Sequence, residues 1–311
     1  MNDSMRICIF AVGLAATAGV GAAHADGRFE LQSTNMLTRS DPFSADEELT
    51  ALGAGVFDLE TGWDSNTWVR RVQPLSGRQV LRFEGQLRLR GYPDRDELNS
   101  VLVTPRIQYW NTTADNTLQL RLSAGYSALS RDGDAHWTRP EAEAQLRYRP
   151  EGGRALETVF RVRANAYDFD RADLQGLDSE RIRVGVEQFF RPMDETLVVR
   201  LSAYFEQADA DDDRFSFDET RLRGEVIWNI DDASAAALVA DYRDRDYDAA
   251  FSTQEPFASA DERFEIEARY ERKLTERVNA FVAAGYLDNS SNIQARDYDG
   301  ATFRAGFSLS L

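Results

Sequence analysis

From Val80 to the end of the sequence, apolar and polar residues alternate in one segment after another, with a polar or Gly/Pro-containing break between segments. The first segment sets Leu81, Phe83, Gly85, Leu87 and Leu89 against Arg82, Glu84, Gln86, Arg88 and Arg90. The next two carry Val101, Val103, Ile107 and Tyr109, then Leu118, Leu120, Leu122 and Tyr126. A strand sends successive side chains to opposite faces, so a period of two gives each segment one apolar and one polar face. Twelve such segments follow one another. A helical period of about 3.6 cannot produce that pattern, and the chain reads as all-β.

The breaks alternate in length. Short ones (Asn111 to Asn116, Pro150 to Ala155, Pro192 to Glu195, Asp231 to Ser234, Thr275 to Glu276) take turns with generally longer, acidic ones. The longer set is Pro93 to Asn99, Arg131 to Trp137, Phe169 to Glu180, Gln207 to Glu219, Tyr247 to Glu262 and Asn289 to Gly300. A sandwich or propeller accounts for alternation but not for this rhythm. A transmembrane antiparallel up-and-down β-barrel does, because its periplasmic turns are short and its extracellular loops longer. Aromatic residues also gather near strand ends. Tyr109, Tyr148, Phe190, Trp228 and Tyr270 mark one end, and Tyr126, Phe205, Tyr242 and Tyr286 the other. Two girdles at the two membrane interfaces are expected from them.

Before Val80 the pattern weakens. Arg28 to Asn35 alternates, and Ala54 to Leu59 is a second candidate strand, which together bring the barrel to fourteen strands. The alternative is twelve strands with an N-terminal extension lying in the lumen. Residues 1–25 read as a secretory signal peptide: Arg6, an apolar core from Ile7 to Val20, and Ala23-His24-Ala25 before Asp26. The only cysteine, Cys8, falls inside that segment, so residues 26–311, read as one barrel domain, carry no thiol.

The net charge of -17 argues against nucleic acid as a partner. A mean hydropathy of -0.49 suits a barrel whose strands turn half their side chains to a polar interior. Arginine dominates that interior. The lumen-lining candidates are Arg82, Arg88, Arg90, Arg106, Arg121, Arg147, Arg161, Arg163, Arg200, Arg221, Arg223 and Arg243. Guanidinium groups stay ionised and bind carboxylates or phosphates with a planar fork of donors. They serve either as a path for an anionic solute or as braces paired with acids on neighbouring strands.

The last strand, Ala301 to Leu311, alternates Phe303, Ala305, Phe307, Leu309 and Leu311 with polar residues. Its Arg304, Gly306, Leu309 and Leu311 fit a frame that resembles the C-terminal signal strand of outer-membrane barrels, which implies the barrel-assembly machinery as a partner. Asp288-Asn289-Ser290-Ser291-Asn292, Tyr298-Asp299 and Arg304-Ala305-Gly306, with Gly62-Trp63-Asp64-Ser65-Asn66, resemble elements of two related groups. These are the barrels of surface lipoprotein assembly modifiers and the β-barrel porins found with exopolysaccharide export systems. The resemblance implies a Gram-negative outer membrane with its lipid and lipopolysaccharide, and either an anionic saccharide or a surface lipoprotein as cargo. No tetratricopeptide repeats of the first group fit before the barrel.

Chemistry at a catalytic centre is not expected. The one histidine beyond the signal, His136, stands in a loop with Asp134, and sequence neighbours on a loop do not make a positioned dyad. Asp209, Asp211, Asp212 and Asp213 form an acidic run, but Arg214 and Thr220 break the calcium-loop pattern. Neither a cofactor nor a metal is read from the sequence. The expected function is a channel or export conduit for an anionic or carbohydrate solute. The alternatives are a surface-protein assembly factor and a closed structural or adhesive barrel.

Overall fold

The computed structural model describes residues 27–42, 58–150, 155–172, 174–192 and 196–311. The expected signal peptide lies outside them. Fourteen strands follow in chain order. The first five are β1 (Arg28–Ser40), β2 (Glu60–Pro74), β3 (Gln79–Gly91), β4 (Ser100–Thr112) and β5 (Leu118–Arg131). Next come β6 (Asp134–Tyr148), β7 (Leu156–Phe169), β8 (Ser179–Phe190), β9 (Leu197–Ala210) and β10 (Phe217–Asp231). The chain finishes with β11 (Ser234–Ala250), β12 (Ala258–Lys273), β13 (Val278–Ser291) and β14 (Tyr298–Ser310). Each strand pairs antiparallel with its neighbour in sequence, and β1 pairs with β14 to close the ring. Closure leaves no unpaired sheet edge, which lipid cannot satisfy.

The outer face is the apolar one. Leu122, Phe160, Val184, Leu201, Leu238 and Val282 are exposed on it, at the alternate positions the sequence marks. Among the described residues no helix is long and apolar enough to cross a membrane. Strands of 12 to 17 residues exceed the roughly 9–11 needed to span one, so their ends stand clear of the bilayer. Tyr126, Phe205 and Tyr286 are exposed towards one rim, Tyr148, Phe190, Trp228 and Tyr270 towards the other.

Two expectations change. The second strand is Glu60–Pro74 rather than Ala54 to Leu59, most of which lies outside the described residues. Its outward side chains include Ser65, Thr67, Arg71 and Gln73, so it lacks the apolar alternation by which strands are recognised. Gly62 to Asn66 is part of this strand, and the count remains fourteen. The break Arg131 to Trp137 is no long loop. Asp132 (φ 50°) and Gly133 (φ 86°) form a two-residue turn whose positive φ angles match the twist of the flanking strands.

Candidate functional site

The inner wall converges in the upper half of the lumen on a cavity of about 200 Å³. It is lined by Thr38, Ser40 and Asp41 at the end of β1, by Asp64 of β2, and by Arg88 and Arg90 of β3. From further round the ring come Arg221 of β10, Asp241 and Arg243 of β11, and Arg263 and Glu265 of β12, while Arg304 of β14 stands beside β1. Strands β3 and β10 stand half-way round the ring from each other, so opposite walls share this one space. Six arginines face four acids there: Arg88, Arg90, Arg221, Arg243, Arg263 and Arg304 against Asp41, Asp64, Asp241 and Glu265.

Cross-strand register sets each partner. Asp64 lies opposite Arg90 in the β2–β3 ladder. Its Oδ2 accepts from Arg88 Nε at 2.9 Å and from Arg90 Nε at 3.3 Å. Across the lumen, Arg221 forks onto Asp241, Nε to Oδ1 at 2.9 Å and Nη2 to Oδ2 at 2.9 Å, and Arg223 Nη1 reaches the same carboxylate at 3.4 Å. The chain leaving β1 turns inward between these walls. Asp41 Oδ2 accepts from Arg263 Nη1 at 2.6 Å and from the Tyr298 hydroxyl at 2.9 Å, while Arg90 Nη1 donates to the Pro42 carbonyl at 2.8 Å. These bonds tie the start of the first extracellular connection to three strands.

The rest of the wall repeats the sharing of one acid by two arginines. Glu157 serves Arg147 (3.5 Å) and Arg149 (2.7 Å). Glu187 serves Arg161 (2.9 Å) and Arg200 (3.1 Å), and the Tyr204 hydroxyl also donates to it. Glu84 holds Arg70 and Arg82 at 3.1 and 3.4 Å, and Glu143 holds Arg121 and Arg161 at 3.4 and 3.8 Å. Arg163 and Arg183 share Glu206, Arg106 pairs with Glu141, and Arg243 lies 3.7 Å from Glu219. A carboxylate cancels one charge, so two guanidinium groups around it leave the surface positive. Among the described residues, the Nε–H groups of Arg82, Arg121, Arg161, Arg200 and Arg223 meet no hydrogen-bond acceptor.

The structure thus brings Arg88, Arg90, Arg221, Arg243 and Arg304 to the narrow part. Arg82, Arg106, Arg121, Arg147, Arg161, Arg163, Arg200 and Arg223 are distributed around the remaining wall. Periodicity missed Arg263, because the alternation begins one residue later at Phe264, and it missed Asp41, which lies outside any strand. Asp64 stood in the Gly62-Trp63-Asp64-Ser65-Asn66 element, the one signal that pointed to it.

The extracellular mouth is partly filled. Trp137, Tyr167, Phe169, Phe217 and Tyr247 turn inward at the tops of their strands and pack with Leu174 and Leu177 from residues 170–178. His136 is buried beside them, edge-on to Phe169, with its Nε2 3.4 Å from Arg131 Nη1. In the acidic run, Asp212 accepts from Arg214 Nε at 2.9 Å, and this arginine holds its carboxyl below the usual range.

Neither a protein-family profile nor a curated protein matches the sequence. Solved structures do match. OmpT, an outer membrane protein of Vibrio cholerae, superposes with a TM-score of 0.53 at 9% identity, covering 92% of this chain and 97% of that one. The outer membrane channel DcaP of Acinetobacter baumannii gives 0.52 at 12% identity, covering 93% and 98%. An anion-selective porin from Comamonas acidovorans gives 0.51 at 9% identity, covering 92% and 99%. The chain has the fold of an outer-membrane porin. Its setting is the outer membrane of a Gram-negative bacterium, where lipid and lipopolysaccharide surround the apolar outer face. Identities this low carry the fold and leave the solute open.

Proposed function

We propose that this porin-like barrel is a channel for small anionic solutes, with the arginine-lined narrowing as its selective element. The observation that carries the reading is the excess of arginine over acid in a cavity shared by opposite walls. Rings of Arg or Lys are a recurrent device for passing anions and phosphates. The shared acids hold the guanidinium groups in place and leave the net charge positive. A volume of about 200 Å³ lies below the ~300–1,000 Å³ of pockets that enclose drug-sized ligands, which favours a carboxylate or phosphate, or an acidic saccharide passing in single file, over a folded protein client. The anion-selective porin from Comamonas acidovorans shows that a barrel of this shape can do such work.

The test is the conductance of the refolded barrel in a planar bilayer, with the reversal potential read in a salt gradient. A steady current whose reversal potential lies towards the anion's equilibrium value is expected. A cation-selective current overturns the assignment. A folded, silent barrel favours the closed reading, which the aromatic packing of Trp137, Phe169 and Phe217 in the mouth would explain.

A further inference from the structure

We propose that the outer face of β1 and β2 is the surface through which the barrel pairs with a second copy of itself. At mid-strand these two strands turn Ser33, Asn35, Ser65 and Thr67 outward. Their ladder partners on either side are apolar: Leu309 and Phe307 on β14, Leu89 and Leu87 on β3. Directly paired residues share a face, and Phe307 is exposed, so the four polar groups lie on the lipid side.

The four are joined to one another. Ser65 Oγ donates to Asn35 Oδ1 at 2.8 Å, Asn35 Nδ2 donates to Ser33 Oγ at 3.3 Å, and the Ser33 and Thr67 hydroxyls are 3.0 Å apart. A primary amide has two N–H donors and a hydroxyl has one. Those bonds leave one amide hydrogen of Asn35 and one hydroxyl hydrogen for an acceptor beyond the patch. Lipid tails offer no acceptor, and a polar group buried in hydrocarbon without one is costly. A protein surface facing the patch removes that cost.

The second copy is the partner that fits. The patch is uncharged and every member can both donate and accept, so it is complementary to itself, as a two-fold contact requires. A two-fold axis along the membrane normal also brings the same residues to the same depth. The surface next to the patch is open to approach: a Cβ at Gly85 on β3, opposite Val69, would meet nothing within 4 Å. Exposed Leu37, Phe83, Phe303 and Phe307 lie around it, with outward Arg39 and Arg71 beside Phe303 and Phe83 further along the strands. Small and polar residues at the centre of a lipid-embedded contact let backbones come close and bond across it.

The test uses the full barrel in bacterial outer membranes. Ser65→Cys introduces a thiol into a stretch that has none, and oxidation is expected to give a reducible homodimer. Leu201→Cys, half-way round the ring, is expected to give no such product. The triple variant Asn35→Leu, Ser65→Leu and Thr67→Val makes this part of the outer face apolar, like the rest of the lipid-facing surface, and hence stays compatible with folding. It should retain the heat-modifiable gel mobility of a folded barrel while its dimer dissociates roughly tenfold more readily. A Ser65→Cys barrel that stays monomeric on oxidation, or one that cross-links only to a different protein, overturns the proposal. A triple variant that dimerises as well as the wild type does so too.

Discussion

The guanidinium carbon of Arg181 sits 4.1 Å from the centre of the Tyr167 ring, and both side chains are buried. The other neighbours extend this contact into a collar. Arg139 lies 5.3 Å from the same ring and donates to its hydroxyl at 2.7 Å. Phe217 is bracketed by Arg181 at 5.6 Å and Arg245 at 4.1 Å, and Tyr247 by Arg245 at 6.0 Å and Arg296 at 4.6 Å. Aromatic faces and cations thus alternate along the inner wall from β6 to β11, below the extracellular loops. Cation–π pairs are each worth about 0.5–1 kcal/mol when exposed and about 2 kcal/mol or more when desolvated, and the Tyr167 hydroxyl adds a charge-assisted bond.

Replacing Tyr167 by Leu keeps most of the apolar volume but removes both cation–π contacts and the hydroxyl acceptor. A loss of about 1–3 kcal/mol is expected in the urea unfolding of the barrel in lipid vesicles. An unchanged midpoint would show that the collar packs without contributing to stability.

Charge in the narrowing is the second lever. Arg88 and Arg90 both reach Asp64, which is only 3% exposed. Changing both to Gln removes two cations and leaves that carboxylate facing the cavity. The anion-to-cation permeability ratio should fall by about three- to tenfold, the size of a roughly 1 kcal/mol change for charges a few ångströms from the path. Arg147→Gln, on the wall away from the cavity, should shift the ratio less. Equal effects from both sites would spread selectivity along the whole lumen.

Twelve strands were legible because their outer faces are apolar and the lipid requires it. The same logic explains the failure at β2. With Ser65, Thr67, Arg71 and Gln73 outward, its alternation is polar against polar, and period-two reasoning has nothing to detect. The arginines were legible as a class, since inward positions follow once outward ones are known. Their convergence was not. That Arg88 and Arg221 line one cavity depends on ring closure and on Asp41 turning inward, and neither leaves a periodic trace. The turn at Asp132-Gly133 was readable from its Asp-Gly pair, but the acidic residues around it made it look like a loop.

Acid should loosen one periplasmic turn late. The Thr113 hydroxyl donates to Asp115 Oδ1 at 2.6 Å and the Thr117 N–H at 3.2 Å, and these bonds hold the carboxyl down to about 2. A carboxyl depressed in the folded state adds stability that is complete above its ordinary value of 3.8 and is lost as pH falls through about 2. Amide protection of Thr117 and Leu118 should therefore hold from neutral pH to about 4 and decline towards 2. Asp115→Ala should start lower and show no such decline. A decline already complete at pH 4 would contradict the depressed value.

Closure of the ring rests on the last residues of the chain. Leu31 N–H donates to the Leu311 carbonyl at 3.0 Å, and Leu311 N–H returns to the Leu31 carbonyl at 2.8 Å. Further up the seam a Cβ on Gly306 would lie 2.1 Å from the Asn35 carbonyl oxygen and 2.7 Å from Met36 Cβ, so β1 and β14 can approach only because that position is bare. Gly306→Val should therefore prevent closure both in cells and on refolding into detergent. Deleting Phe307 to Leu311 removes the lower half of the β1–β14 ladder and should have the same effect. Leu311→Asp tests whether this strand also acts as the assembly signal it resembles. It keeps the backbone pairing with Leu31 but puts a charge at the apolar end of that frame. It should refold in detergent as the wild type does, yet accumulate far less in the outer membrane, measured as the heat-modifiable fraction in isolated membranes. Normal accumulation of Leu311→Asp would remove the terminal side chain from any assembly signal in this strand.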